Sequence, residues 1–230
     1  MNEPSILTPF GMAKAAAGKL PHRWQQELKR LRFQRQIRRN TFVTDEPEWK
    51  AVEQWLSPGD WAIDVGANVG HYTKRLSDLI GPHGRVIAFE PVPATFELLA
   101  ANVARFQHAN VTLLNLAASD GTRLLGIDLP LFASGLVNYY QAALTPSASA
   151  AMQVMTCAID SLGLSRPVKL LKIDAEGHDA VVLKGAEALL HRDRPTLIIE
   201  SVSPTVHEHL VSLGYRSERL SGSPNVVYRS

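Results

Sequence analysis

The ten residues Trp61-Ala62-Ile63-Asp64-Val65-Gly66-Ala67-Asn68-Val69-Gly70 read as a strand that runs into a glycine turn and then into a helix. The apolar run from Trp61 to Val65 is short, contains β-branched residues and ends in glycine, so a parallel strand covered on both faces fits it better than a helix. Gly66 lets the backbone turn and approach a ligand, and Gly70 allows close packing where the next helix begins. Val69, Tyr72, Leu76 and Leu79 then recur at helical spacing, until Gly81-Pro82 stops the pattern.

Such a unit presents free backbone N–H groups at the carboxyl end of a sheet, where α/β folds bind nucleotides. The spacing narrows the ligand. It is Asp-x-Gly-x-Asn-x-Gly, not the Gly-x-Gly-x-x-Gly that cradles a pyrophosphate. Asp64 would repel a pyrophosphate but accept from the ammonium of an amino acid, which implies a nucleoside joined to an amino acid. S-adenosylmethionine is such a molecule, and its sulfonium favours nearby carboxylates.

The chain of 230 residues is long enough for one sizeable α/β domain. Its net charge of +2 is unevenly placed. Residues 1–43 hold nine basic and two acidic residues, so the body is net acidic. We expect a leader and basic helical arm over 1–44 and the ligand-binding domain over 45–230. In the arm, Leu20, Trp24, Leu28 and Leu31 near helical spacing suggest a buried stripe, with Arg23, Lys29, Arg30, Arg32, Arg35, Arg38 and Arg39 on a solvated face. A nucleic-acid or membrane-surface role is the sharper alternative. The single cysteine, Cys157, gives no internal disulfide, no apolar run reaches a membrane span, and the first twenty residues lack the pattern of a signal peptide. A soluble cytoplasmic protein is the expectation.

Arg85 to Phe89 reads as a second strand ending in Glu90-Pro91, with Pro93 opening a helix that carries Phe96, Leu99, Val103 and Phe106. An acid at the end of the second strand commonly accepts from both ribose hydroxyls, and Glu90 fits that role. Val111 to Leu116 is the third strand, and Ser119 or Asp120 beyond it would meet the adenine edge, unless Asp120-Gly121 is a plain turn. Between Asp128 and Asp160 no residue is charged, and the stretch containing Asn138 and Tyr139 is a candidate acceptor wall, or else a dimer contact. Met152 to Ile159 resembles a strand, and Val168 to Ile173 is the fourth core strand, entering Asp174-Ala175-Glu176-Gly177-His178-Asp179. Thr196 to Glu200 supplies the fifth, and the tail reads as a hairpin. Strands alternating with helices and closing on that hairpin give a doubly wound, mostly parallel α/β sheet.

With these residues assembled, the chain resembles the FkbM family of methyltransferases. The resemblance rests on Asp64-Val65-Gly66-Ala67-Asn68-Val69-Gly70, Phe89-Glu90-Pro91 and Lys172-Ile173-Asp174-Ala175-Glu176-Gly177-His178-Asp179, and runs from about Glu46 to the C-terminus. It implies a Rossmann-like class I methyltransferase fold with a seven-stranded sheet, S-adenosylmethionine as cofactor, and O-methylation of a sugar or natural-product hydroxyl. Asp64, Gly66, Asn68 and Gly70 match the family's cofactor loop and Glu90 its ribose acid. Asp179 stands where the family commonly has Glu.

Methyl transfer is an in-line displacement, and an alcohol nucleophile needs a base within hydrogen-bond reach. Asp174 or His178 is the first candidate for that base, with Glu176 positioning a partner or bracing the loop. Lys172 lies two residues before Asp174 on the same strand face, where it pairs with a carboxylate or touches the substrate. Glu200 completes the candidate substrate-binding group. Asp174, Glu176, His178 and Glu200 could instead gather a hard divalent cation that activates the hydroxyl as a Lewis acid, but they lack a tight metal spacing, so no metal is expected. N-methylation, RNA methylation and nicotinamide-dependent oxidation are the competing readings; the partner expected is a small acceptor, with nucleic acid disfavoured and a homodimer open.

Overall fold

The computed structural model describes residues 21–130, 142–145, 150, 152–200 and 202–230. Helix α1 (His22–Arg38) leads through a short α2 (Pro47–Ala51) into the alternating core: β1 (Trp61–Val65), α3 (His71–Ile80), β2 (Arg85–Phe89), α4 (Pro93–Val103) and β3 (Val111–Leu114). Four strands follow, β4 (Ala117–Ser119), β5 (Leu124–Asp128), β6 (Ala143–Thr145) and β7 (Met152–Ala158). The core resumes with β8 (Val168–Ile173), α5 (Asp179–Lys184), α6 (Glu187–Asp193), β9 (Thr196–Ile199), α7 (Pro204–Ser212), β10 (Arg216–Glu218) and β11 (Val226–Arg229).

The main sheet has seven strands in the order β10-β11-β9-β8-β1-β2-β3. All neighbours pair in parallel except β11, which runs antiparallel to both β9 and β10. The expected class and hairpin are therefore present. Asp64 registers between Ala88 on β2 and Lys172 on β8, which brings the two central loops to one edge of the sheet. Because β1 has strands on both sides and is covered above and below, Ala62, Ile63 and Val65 are buried, as the apolar run predicts.

Local chemistry fixes the flanking helices. Gly70, at φ 98°, caps the N-terminus of α3, and Gly81, at φ 65°, ends it. Asn110, at the entrance to β3, donates to the carbonyls of Ser77 (3.0 Å) and Gly81 (2.8 Å) and accepts from the Ser77 hydroxyl (2.6 Å), satisfying the end of the helix from another element. Tyr72, Leu76 and Ile80 bury one face; full burial of Leu76 and Ile80 is worth about 1.5–3 kcal/mol each. In α4, Leu98 and Leu99 carry the buried face with Thr95 and Asn102, while the expected Phe96, Val103 and Phe106 are only partly covered. Asn102 reaches back to donate to the Val69 carbonyl at 2.9 Å, tying α4 to the glycine loop.

Two sequence expectations are corrected. The third strand ends at Leu114, not Leu116, because Asn115 turns its amide onto the carbonyls of Glu90 (2.8 Å) and Pro91 (3.1 Å). The chain then builds a second sheet, in the order β4-β7-β5-β6. Its strands lie between β3, at the edge, and β8 beside β1 in the chain, a passage for which sequence alone gave only one strand. Ala118 from this sheet packs with Ile63, Val65, Ile87 and Phe89, so it covers the main sheet as a crossover helix would.

The second correction concerns α1. Trp24, Leu28 and Leu31 do not face the protein; they are 54%, 46% and 58% exposed. Phe33 and Ile37, on the opposite side of the helix, pack with Phe42, Val69 and Leu98. An edge-to-face contact from Phe33 to Phe42 (5.7 Å) and a stacked one from Phe42 to His71 (4.1 Å) hold the helix against the start of α3. Burial lowers the His71 pKa to about 4, so the ring in this stack is neutral at pH 7. No described helix is long and apolar enough to cross a membrane.

Candidate active site

The glycine loop is shaped by close approach. A Cβ on Gly66 would lie 1.9 Å from the carbonyl oxygen of Asp174, and its φ of +72° is a conformation that L side chains rarely adopt. The amides of Gly66 and Ala67 both donate to the Phe89 carbonyl, at 3.0 and 2.9 Å. Asn68 follows with φ 50°, a left-handed value that asparagine tolerates better than most residues. The first loop, the end of β2 and the end of β8 are thus in direct contact.

Glu90 stands at the end of β2, as expected for the ribose acid. One carboxylate oxygen accepts from the Asn68 amide at 2.9 Å and the other from the Val92 amide at 3.0 Å. Burial pushes its pKa up to about 7, against these two backbone bonds that favour the anion. A carboxylate has about four acceptor sites, so two remain for hydroxyl donors.

Asp64 is fully buried beneath the loop. Its Oδ2 accepts from the Thr73 hydroxyl at 2.6 Å, while Oδ1 has no hydrogen-bond partner. Burial raises its pKa, opposed chiefly by the Lys172 cation. An unpartnered buried oxygen below a glycine turn matches a loop built around a donor-bearing ligand, and the absent Cβ at Gly66 leaves the backbone open to it. The residues present therefore fit a nucleoside bearing an amino-acid end.

Lys172 links this floor to the β8 loop. Its Nζ lies 3.1 Å from Asp174 Oδ2 and 4.9 Å from the centre of the Tyr72 ring. Burial alone would lower the Lys172 pKa, but the Asp174 and Asp64 carboxylates outweigh it and raise the value. Of the two readings that the sequence left open for Lys172, pairing with a carboxylate is present here. Tyr72 in turn donates to Glu46 at 2.9 Å, and Asn225 of the C-terminal hairpin also reaches Glu46, at 3.2 Å. Sequence alone read Tyr72 only as part of a helical stripe and did not place Glu46, Tyr72 or Asn225 in the site; no local pattern marks residues that meet only through tertiary packing.

Asp174, Glu176 and Glu200 bring carboxylate oxygens within 4.8 Å of one another. Asp174 is hydrogen-bonded to Glu200. Burial would raise Asp174, but Lys172 and the bond from Glu200 hold it below the usual range. The bond to Asp174, together with burial, pushes Glu200 up to about 8. At pH 7 the pair therefore holds one proton, on Glu200, and Asp174 is the anion. Glu176 sits in the left-handed region at φ 48°, followed by Gly177 at φ 87°, and its pKa is raised by burial and by Asp174. This is the carboxylate group that could hold a cation among the described residues, and a cation bound there would displace the proton held by the Asp174–Glu200 pair.

His178 is turned elsewhere. Its Nε2 lies 3.0 Å from the hydroxyl of Ser119, which is fully buried on β4. Asp120 is held by Arg123 at 2.5 Å and Lys184 at 3.0 Å, bonds that lower its pKa to about 2. The backbone comes close as well, since a Cβ on Gly185 would lie 1.8 Å from the Ser119 carbonyl oxygen. Ser119, Asp120 and His178 thus form one network that joins the second sheet to α5. Burial lowers the His178 pKa, helped by Arg123. Asp179, buried at the head of α5, has its pKa raised chiefly by burial, and neither of its carboxylate oxygens has a hydrogen-bond partner among the described residues. Asn138 and Tyr139 lie outside the described residues.

Helix α1 borders the site from the other side. Gln26, Lys29 and Phe33 face Asn68, Val69, Thr95 and Leu98 across a narrow cleft, and burial lowers the Lys29 pKa.

Comparison with known proteins agrees with this geometry. Residues 64–217 match the model of the methyltransferase FkbM domain. A 67-residue stretch is 30% identical to a protein-L-isoaspartate O-methyltransferase of Methanothrix thermoacetophila, covering 29% of this chain and 30% of that protein. Among solved structures, the chain is similar to a methyltransferase FkbM from Methylobacillus flagellatus, with TM-score 0.58 and 17% identity over 76% of this chain and 44% of that one. This chain spans less than half the length of either relative. From the residues of its glycine loop to those of β10, the chain belongs to the FkbM methyltransferase domain family.

Proposed function

We propose that the chain is an S-adenosylmethionine-dependent methyltransferase acting on a hydroxyl of a sugar or natural-product acceptor, with Asp174 as the general base. The observation that carries the reading is the Asp174–Glu200 pair, which keeps Asp174 ionised at neutral pH while its backbone carbonyl packs on Gly66 of the cofactor loop. When bound, S-adenosylmethionine supplies an electrophilic methyl group on a sulfonium centre.

The chain's own residues do the rest. Gly66, Asn68 and Gly70 hold the loop open to the ligand, and Glu90 uses its remaining acceptor sites for the ribose hydroxyls. Asp64, being inaccessible to solvent, shapes the loop through Thr73 and Lys172; the amino-acid end would meet it only through the unpartnered Oδ1. Lys172 fixes Asp174 through their ion pair. Asp174 takes the proton from the acceptor hydroxyl, and Glu200, already protonated, orients it. Glu176 borders the acceptor side of the loop. His178, Ser119 and Asp120 brace the second sheet instead of serving as base and adenine contact, because their polar atoms already serve one another and Arg123 and Lys184.

The test is transfer of an isotopically labelled methyl group from S-adenosylmethionine to a panel of sugars and natural-product alcohols, with the matching amines alongside. Labelled ether that falls at least tenfold with Asp174→Asn, as expected for loss of a general base, supports the reading. Transfer to the amines alone, insensitive to that substitution, overturns it.

A further inference from the structure

Helix α1 has two apolar faces, and the hydrophobic clusters of the described residues include only one of them. Phe33 and Ile37 pack on the glycine loop and α4, as described above. Trp24, Leu28 and Leu31, spaced four and three residues apart on the opposite side, project from the protein. Val43, Leu124, Met155 and Val211 are also exposed, but among the described residues only α1 sets three such groups in a row on one helix, and nothing in the methyl-transfer chemistry calls for this stripe.

Charge indicates what covers it. From His22 to Arg39 there are seven basic residues and one acidic residue, Glu27. Glu27 is itself paired with Arg30 at 2.6 Å. Arg23, Arg30, Arg32, Arg35, Arg38 and Arg39 are exposed along the helix, and Arg23 lies over the Trp24 ring at 5.9 Å. A second copy of the helix would meet this face with the same excess of positive charge. Nucleic acid would satisfy the arginines but set Leu28 and Leu31 against phosphates. An anionic lipid surface suits both parts, taking the apolar stripe into the acyl boundary and the guanidinium groups among the headgroups.

We infer that α1 docks the protein onto anionic membranes, lying in the interface with Trp24, Leu28 and Leu31 inward. The helix is about 25 Å long, enough for a shallow interfacial footprint and not for a span. The remainder of the chain is net acidic, so repulsion from the same surface keeps contact to this one helix. Since the other face of α1 abuts Val69, docking sets the glycine loop about one helix diameter from the bilayer.

The experiment is co-sedimentation of the full chain with phosphatidylcholine vesicles, with and without phosphatidylglycerol, at low and high salt. The expected result is binding to the anionic vesicles only, weakened by salt, and reduced about tenfold or more by Trp24→Ser with Leu28→Ser and Leu31→Ser, or by Arg35→Glu with Arg38→Glu. Both variants should melt within a few degrees of the parent, because the altered side chains are exposed. Absence of binding to anionic vesicles, or binding that the serine variant retains in full, overturns the inference. So does a marked loss of thermal stability in the serine variant, which would mean that the stripe is covered by the chain itself, or its assembly into a dimer through this face.

Discussion

Lys172 is the cation on which the floor of the site depends, and replacing it by methionine isolates that dependence. Methionine keeps the length and apolar stem, so the change removes charge more than packing. Asp64 then loses its main opposing charge while fully buried, and Asp174 loses its ion pair. Removing one partner of a fully buried pair costs about 3–5 kcal/mol. The Asp174 side chain is 37% exposed, so water takes up part of its share, and about 2–3 kcal/mol is the expected loss near pH 8. For a domain of this size that lowers Tm by roughly 5–10 °C.

The pH dependence has a definite sign. Asp174, held below its usual value, contributes stability that is present above the unfolded carboxylate pKa and lost as pH falls through the folded one. Lys172, raised, contributes stability that is present below the unfolded lysine pKa and lost as pH rises through the folded one. The raised Asp64 already costs stability once ionised, and costs more without Lys172. The deficit of Lys172→Met should therefore be largest in the neutral to mildly alkaline range and shrink in acid, where the carboxylates take up protons. Paired thermal melts from acid to mild alkali measure it. A Tm unchanged at pH 8, or a deficit that grows in acid, would refute the electrostatic account of the floor.

Other substitutions separate the remaining roles. Gly66→Ala should abolish binding of S-adenosylhomocysteine in calorimetry and lower Tm in circular dichroism, since the left-handed backbone adds about 1–2 kcal/mol and the new Cβ collides with the Asp174 carbonyl. His178→Ala should cost about 1 kcal/mol of stability through the lost Ser119 bond while leaving kcat within tenfold of the parent; a collapse of kcat with intact cofactor affinity would restore His178 as base. The pH–rate profile should show a limb near pH 8 from the Asp174–Glu200 pair, and Glu200→Gln should remove that limb. A limb that survives the substitution belongs to another group.

The central strands were readable because their pattern is local. Trp61 to Val65, Arg85 to Phe89 and Val168 to Ile173 are apolar runs closed by Gly66, Pro91 and Gly177, and each lies in the sheet where that pattern predicts. Of the second sheet only β7 was readable, as the strand expected from Met152 to Ile159. Its other strands, β4, β5 and β6, are only three to five residues long, and Asn115, whose amide ends β3 on the carbonyls of Glu90 and Pro91, carries no signal apart from that contact. In α1 the eye follows Trp24, Leu28 and Leu31, yet the smaller set Phe33 and Ile37 wins because Phe42 and His71 are placed to receive it. In the site, Glu90 and Asp174 could be named from the ends of their strands. Glu46 and Tyr72 could not, and the tie of His178 to Ser119 depends on a sheet the sequence did not reveal.

Calorimetric titration of the full chain with S-adenosylhomocysteine, with NAD as control and Glu90→Gln as variant, tests the cofactor site most directly. The account predicts binding of S-adenosylhomocysteine and not of NAD, and a loss of about 1.5–3 kcal/mol, roughly 10–100-fold, when the charged acceptor for the ribose hydroxyls is removed. Because Glu90 titrates near 7, affinity should also rise between pH 6 and 8 in the parent and not in the variant. Binding of NAD in preference, or binding of S-adenosylhomocysteine that Glu90→Gln leaves unchanged, would contradict it.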